Sequence, residues 1–149
     1  MSLKGRLEED MKAAMRAGDK DKLSILRLAL AAVKQREVDS RQTLDDAGVQ
    51  GVIERLIKQG RDALVQYRAG GREDLVAKEE AEVATLQSYL PEPLSEDELE
   101  ALIAEAIDST GATGLQDIGK VMGFVKTRAG GRIDMREANS RVRAALADD

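Results

Sequence analysis

Apolar residues recur at intervals of three and four along almost the whole chain, in seven stretches punctuated by glycine, proline or capping residues, and that period is the signature of helices. The first predicted helix covers about Leu3–Arg16, with Leu3, Leu7, Met11, Ala14 and Met15 on one face and Gly18 as its stop. The second covers about Lys22–Val38; Leu23, Leu26, Leu30 and Val33 form a stripe that Ile25, Leu28 and Ala29 widen to the breadth of a central helix. The third starts after Asp45 and Asp46, which can cap its free amides, and carries Val49, Val52, Ile53, Leu56, Ile57, Leu64 and Tyr67. Gly60 lies inside it. A mid-helix glycine costs about 1 kcal/mol relative to alanine, so Gly60 signals either a closely approaching neighbour or a kink. The fourth covers about Glu73–Leu90, anchored by Leu75, Val83, Leu86 and Leu90.

Both prolines then fall within three residues, Pro91 and Pro93, and proline disfavours helical geometry in the residue before it. Ser95 followed by Glu98 has capping-box spacing, opening a fifth helix with Leu99, Leu102, Ile103, Ala106 and Ile107 before Gly111. A sixth covers about Leu115–Thr127, with Ile118, Val121, Met122 and Val125; a seventh starts at Asp134 and carries Ala138, Val142, Ala145 and Leu146. Strand-favouring residues are scarce beside Ala, Leu, Glu, Lys, Arg and Gln. The expected fold is all-α: a four-helix N-terminal region over 1–90, a linker at 91–93 and a small three-helix C-terminal domain over 94–149.

The chain has no His, no Cys and no Trp, and only 2% aromatic residues. These absences remove Ser-His-Asp and Cys-His nucleophiles, structural zinc sites, disulfides and thiol redox chemistry. No carboxylate pair stands out as a glycosidase couple, and Gly114–Lys120 lacks the hydroxyl residue and the preceding strand of a phosphate-binding loop. The Asp-rich stretches Asp19–Asp21 and Asp45–Asp46 lack calcium-loop spacing and read as helix caps. No catalytic constellation is visible, and neither a cofactor nor a metal is expected. The longest uncharged apolar run, Leu28–Val33, is far below the roughly 20 residues of a membrane span, and the expected location is the cytoplasm.

The net charge of −5 hides an uneven distribution. Residues 1–90 are neutral overall, residues 91–119 hold eight acids and no base, and residues 120–143 hold seven bases against Asp134 and Glu137. Helices six and seven therefore offer a basic surface to phosphate, unless the acidic fifth helix neutralises it within the molecule. Tyr67, Tyr89 and Phe124 are too few and too scattered for a base-stacking platform. The segment Arg68-Ala69-Gly70-Gly71-Arg72-Glu73-Asp74 recurs as Arg128-Ala129-Gly130-Gly131-Arg132-Ile133-Asp134. It reads either as a helix stop followed by a helix start, with Asp as the next cap, or as an anion-binding concavity of backbone amides.

Leu26-Arg27-Leu28, Val33–Glu37, Ala69–Leu75, Lys78–Glu82, Tyr89-Leu90-Pro91, Leu94–Leu99, Gly119-Lys120-Val121-Met122-Gly123 and Gly131-Arg132, in this order, resemble blocks of the GatB/YqeY family. Gly60 departs from the basic residue usual at its position there. The resemblance implies four helices followed by a three-helix domain. It also implies a relation to the tail of the B subunit of the glutamine-dependent Glu/Asp-tRNA amidotransferase, a carbon-nitrogen ligase of translation. In that enzyme the tail touches tRNA while the catalytic sites lie elsewhere.

Three functions follow as expectations. In the leading one the chain binds tRNA or structured RNA through phosphate contacts from Lys120, Lys126, Arg128, Arg132 and Arg136, without catalysing amidation. Gly119 and Gly123, four apart on the sixth helix, serve either the close approach of such a partner or tight packing inside the molecule. The second is a protein-interaction adaptor docking on an aminoacyl-tRNA or amidotransferase complex through the N-terminal helices. The third is an amidotransferase in its own right.

Overall fold

The computed structural model describes residues 1–147; Asp148 and Asp149, the end of the segment expected over 94–149, lie outside the described residues. The described residues form an all-α protein of seven α-helices and two short 3-10 turns, as the apolar period requires. The helices are α1 (Leu3–Ala17), α2 (Lys20–Ser40), α3 (Asp46–Ala69), α4 (Glu73–Gln87), α5 (Glu96–Thr110), α6 (Ile118–Ala129) and α7 (Met135–Ala147). Two compact units divide at Leu90 and Pro91, so α1–α4 belong to the first and α5–α7 to the second.

Helix ends are set by local chemistry. The side chains of Ser2, Asp19 and Asp45 accept from the amides of Gly5, Lys22 and Gly48, and Gly18 and Gly111 close α1 and α5 in the left-handed region. Asp46, expected as a second cap, instead accepts from the Leu3 amide at 2.9 Å and ties α3 to the start of α1.

In the first unit α1 packs along α2 and α3 along α4, around Leu7, Leu26, Val33, Ile53 and Leu86. Leu28 does not widen the α2 stripe as expected. It follows Leu26 by two residues, hence about 200° around the helix, and is 53% exposed. At Gly60 the alternatives resolve in favour of close approach. Helix α3 runs unbroken through it, and Gly60 is buried against Glu79 and Val83 of α4. Helix α4 stops at Gln87, three residues short of the expected Leu90. Pro91 bars helical geometry at Leu90, and the amides of Tyr89 and Leu90 tighten to the carbonyls of Leu86 and Gln87. The tightened turn swings Tyr89 into the core, where Arg6 covers its ring at 5.2 Å and its hydroxyl donates to Asp10.

Glu37 near the end of α2 accepts from the Leu44 amide at 2.8 Å and from Lys4 Nζ at 3.1 Å, pinning the α2–α3 loop and α1 to one carboxylate. The Leu44 amide first, and Lys4 after it, hold the Glu37 carboxyl below its usual range. A depressed folded-state pKa contributes stability above the ordinary glutamate range and loses it as pH falls through the folded value. Glu37→Gln is thus expected to lower the melting temperature at pH 7, with the difference from wild type vanishing on acidification below that range. Glu82 acts with opposite sign, because burial and then the neighbouring Glu79 raise its pKa. Melts of both proteins between pH 3 and 7 check the expectation.

In the second unit Leu99, Ile103 and Ala106 of α5 meet Val121 and Val125 of α6 and Ala138, Val142 and Leu146 of α7. Ser95 and Glu98 form the expected capping box. Helix α6 begins three residues later than expected, because Leu115–Asp117 is a 3-10 turn closed by the Asp117 carboxylate on the Thr113 amide. The segment at 91–93, expected as a linker, is held within this unit: Arg132 Nε donates to the Glu92 carbonyl at 2.8 Å, and the Leu94 amide to the Arg132 carbonyl at 2.9 Å.

Candidate nucleic-acid interface

Helix α6 buries Val121, Val125 and Ala129 on one side. At 100° per residue its opposite side carries Gly119, Lys120, Gly123 and Thr127, with Lys126 at the flank beside Gly119. All five are exposed. A Cβ added at Gly119 or Gly123 meets nothing within 4 Å, so tight packing inside the molecule, one of the two roles expected for this pair, is not what these glycines do. The helix therefore presents bare backbone, with Thr127 Oγ1 donating to the Gly123 carbonyl at 2.9 Å. Among the described residues, neither Lys120 nor Lys126 has an ion-pair partner.

The arginines are disposed differently. Arg128 in the last turn of α6 lies 3.1 Å from Glu105 of α5 and stacks at 4.9 Å over the Phe124 ring. Arg132 reaches Glu98 at 3.3 Å besides its bond to the Glu92 carbonyl. Arg141, outside the expected set, pairs with Glu96 at 2.7 Å and Glu137 at 3.1 Å. Arg136 stands exposed in the first turn of α7, its amide donating to Asp134 Oδ1 at 2.9 Å. The acids of α5 thus meet Arg128, Arg132 and Arg141 inside the unit, and Lys120 and Lys126 are left facing solvent without a counter-charge among the described residues. Held by the Ser95 amide first and aided by Arg132, the Glu98 carboxyl stays below its usual range. The Arg128–Glu105 pair is exposed on both sides, while Arg132 and Arg141 are half-buried, and an exposed pair contributes about 0–1 kcal/mol. A phosphate can take over such an arginine at little cost.

The repeated Arg-Ala-Gly-Gly-Arg segment does stop-start work in both copies. Gly71 and Gly130 take positive φ of 67° and 56°, and Asp134 precedes α7 as its cap. Asp74 is not the expected cap of α4; it lies in the first turn and pairs with Arg72 at 3.1 Å. Sequence reasoning missed Tyr89 as a core residue. Burial, and then the hydrogen bond it donates to the Asp10 carboxylate, push the Tyr89 hydroxyl well above the ordinary phenol range, which suits a structural lock rather than an acid or base. No group of three or more Asp or Glu among the described residues is placed to hold a metal ion.

Comparison with known proteins places this geometry in a family. Residues 4–146 match the family described as Yqey-like protein. Among curated relatives, Altered inheritance of mitochondria protein 41, mitochondrial, of Pyrenophora tritici-repentis is 31% identical over 129 residues, 85% of this chain and 71% of that protein. The protein of the same name from Saccharomyces cerevisiae strain YJM789 is 30% identical over 83% of this chain and 60% of its own length. That of Vanderwaltozyma polyspora is 38% identical over 56% of this chain and 46% of its own length. The matched part of this chain therefore spans between about half and seven-tenths of these relatives. Their names are mitochondrial, which overturns the cytoplasmic expectation. The physical reason is that the described residues form no helix long and apolar enough to cross a membrane, a property any aqueous compartment accepts, so it could not single out the cytoplasm. The family match takes in both units, and the chain belongs to the YqeY-like protein family.

Proposed function

We propose that the chain is a non-catalytic RNA-binding module, related through its family to the tail of the glutamine-dependent tRNA amidotransferase, which grips the backbone of tRNA or a similarly structured RNA through the outer face of α6. The observation that carries this reading is the exposed, unpaired Lys120 and Lys126 flanking the bare backbone of Gly119 and Gly123. Low relief between two cations lets a phosphate ridge lie close to the helix, and structured RNA is commonly recognised by shape, phosphates and ribose hydroxyls rather than by stacking. Arg128, Arg132 and Arg136 extend the track, Arg128 once its weak pair with Glu105 yields.

The signature is salt dependence. Each phosphate neutralised contributes roughly 0.7–0.9 to the slope of log affinity against log salt. Removing two such contacts in Lys120→Ala/Lys126→Ala is expected to weaken tRNA binding about tenfold and to shrink that slope by about 1.5. Fluorescence anisotropy with labelled tRNA across a salt series measures both. Wild-type affinity no better than that of an acidic control protein at low salt ends this reading; an unchanged double variant moves the site off α6.

The adaptor reading has one observation in its favour. Leu28, Ala31 and Val38 fall on one exposed stripe of α2. Protein partners recovered equally with and without nuclease, and lost in Leu28→Glu, are the result that reading requires. An amidotransferase needs an ammonia source and a carboxyl-activating site; glutamine- and ATP-dependent conversion of Glu-tRNA by the purified chain alone tests for them.

A further inference from the structure

The first unit carries a second surface that RNA binding at α6 does not use. A shallow groove of about 510 Å³ follows the seam between α3 and α4. Its floor is apolar, with Leu64 and Val65 facing Val83 and Ala84, and Val65 is 62% exposed. Polar pairs cross the seam on both sides of this floor. Arg68 Nη2 donates to Glu80 Oε1 at 2.7 Å, and Arg61 Nη2 to Gln87 Oε1 at 3.5 Å. Seven residues separate the two rungs on each helix, which is two turns or about 10 Å. Each wall thus has one character, guanidinium donors on α3 and acceptors on α4.

We propose that this seam is a homodimer face, on which a second copy of the chain packs its own α3–α4 hairpin about a two-fold axis parallel to the helices. That axis sets each α3 over the opposite α4 while keeping every residue at its own height. Arg68 then meets Glu80 of the partner subunit and Glu80 meets Arg68 of the partner subunit, closing an alternating ring of four charges. Two turns away Arg61 and the neutral Gln87 amide supply a matching donor and acceptor, without the charge alternation, and the paired Val65 side chains fill the floor between the rungs. The alternative two-fold axis, across the helices, stacks α3 on α3 and brings Arg61 against Arg68, like charge on like. Charge complementarity therefore selects both the occupant and its orientation. Helix α4 has 15 residues, about 22 Å, so the interface sits at the small end of specific ones and the dimer forms reversibly with concentration.

Sedimentation velocity on the full chain, from low micromolar to near-millimolar concentration, tests this. Wild type is expected to move toward twice the monomer mass. Val65→Glu, at an exposed position where helical circular dichroism should be retained, is expected to stay monomeric, as is Arg68→Glu. Arg68→Glu/Glu80→Arg, which restores the alternation in reverse, is expected to dimerise again. A wild type that is monomeric throughout overturns the proposal. So does a Val65→Glu variant that dimerises like wild type, or a double charge variant that recovers nothing.

Discussion

Gly60→Val is expected to lower the melting temperature by more than about 10 °C, from a cost of about 2–3 kcal/mol at about 4–8 °C per kcal/mol for a unit of this size. A Cβ at position 60 stands 2.7 Å from Val83 Cγ2 and 2.8 Å from Glu79 Oε1. The Glu79 carboxylate is the far end of a flexible side chain and can swing away. Val83 cannot, because it is β-branched on a helix, where one rotamer dominates, and is packed against the core. The two helices must therefore separate, and the roughly 0.3 kcal/mol by which valine exceeds glycine in helix propensity does not compensate. Adding Val83→Ala to Gly60→Val should recover about half of the loss, since it deletes the atom in the way. Thermal unfolding followed by circular dichroism reads both. A Gly60→Val protein that melts like wild type is incompatible with the α3–α4 approach described above.

The same class of substitution on α6 should act in the opposite direction. With open space at both positions, Gly119→Ala/Gly123→Ala is expected to stabilise the second unit by about 1–2 kcal/mol, through helix propensity alone. On the RNA reading the same two methyls stand where the phosphate ridge approaches, so tRNA affinity falls while the melting temperature rises. Chemical denaturation and anisotropy titration on one preparation give both numbers. Stabilisation with unchanged affinity would mean that nothing approaches the α6 backbone, and stabilisation absent altogether would contradict the open surface itself.

The residues explain which features could be anticipated. Seven helices were legible because their buried positions keep a 3.6-residue period and their ends carry Ser2, Asp19, Asp45, Ser95, Gly18 and Gly111, whose chemistry acts within one turn. Errors arose where a distant contact decided. Tyr89 reads as off-stripe until the tight turn before Pro91 rotates it onto α1, and Asp46 reads as a cap until the Leu3 amide, 43 residues away, claims it. Gly60 left two possibilities because a glycine shows that space is needed without showing what fills it. The charge pattern of the candidate site was legible as totals only. Which cations face acids depends on the rotation of α6 against α5, and that rotation turns Arg128 onto Glu105 while leaving Lys120 and Lys126 in water.

The bond from Arg132 Nε to the Glu92 carbonyl fixes where the chain can be cut. Residues 40 apart in sequence close the second unit like a clasp, its entry segment buckled to the α6–α7 turn through Glu92, Leu94 and Arg132. A fragment begun at Leu94, the boundary that the proline pair suggested, would discard one half of that clasp and leave Arg132 Nε without its carbonyl, with only Glu98 still holding the guanidinium. One begun at Pro91 would keep it. For dissection of this chain, the severable joint is therefore the peptide bond between Leu90 and Pro91, and the two prolines belong to the piece that follows them.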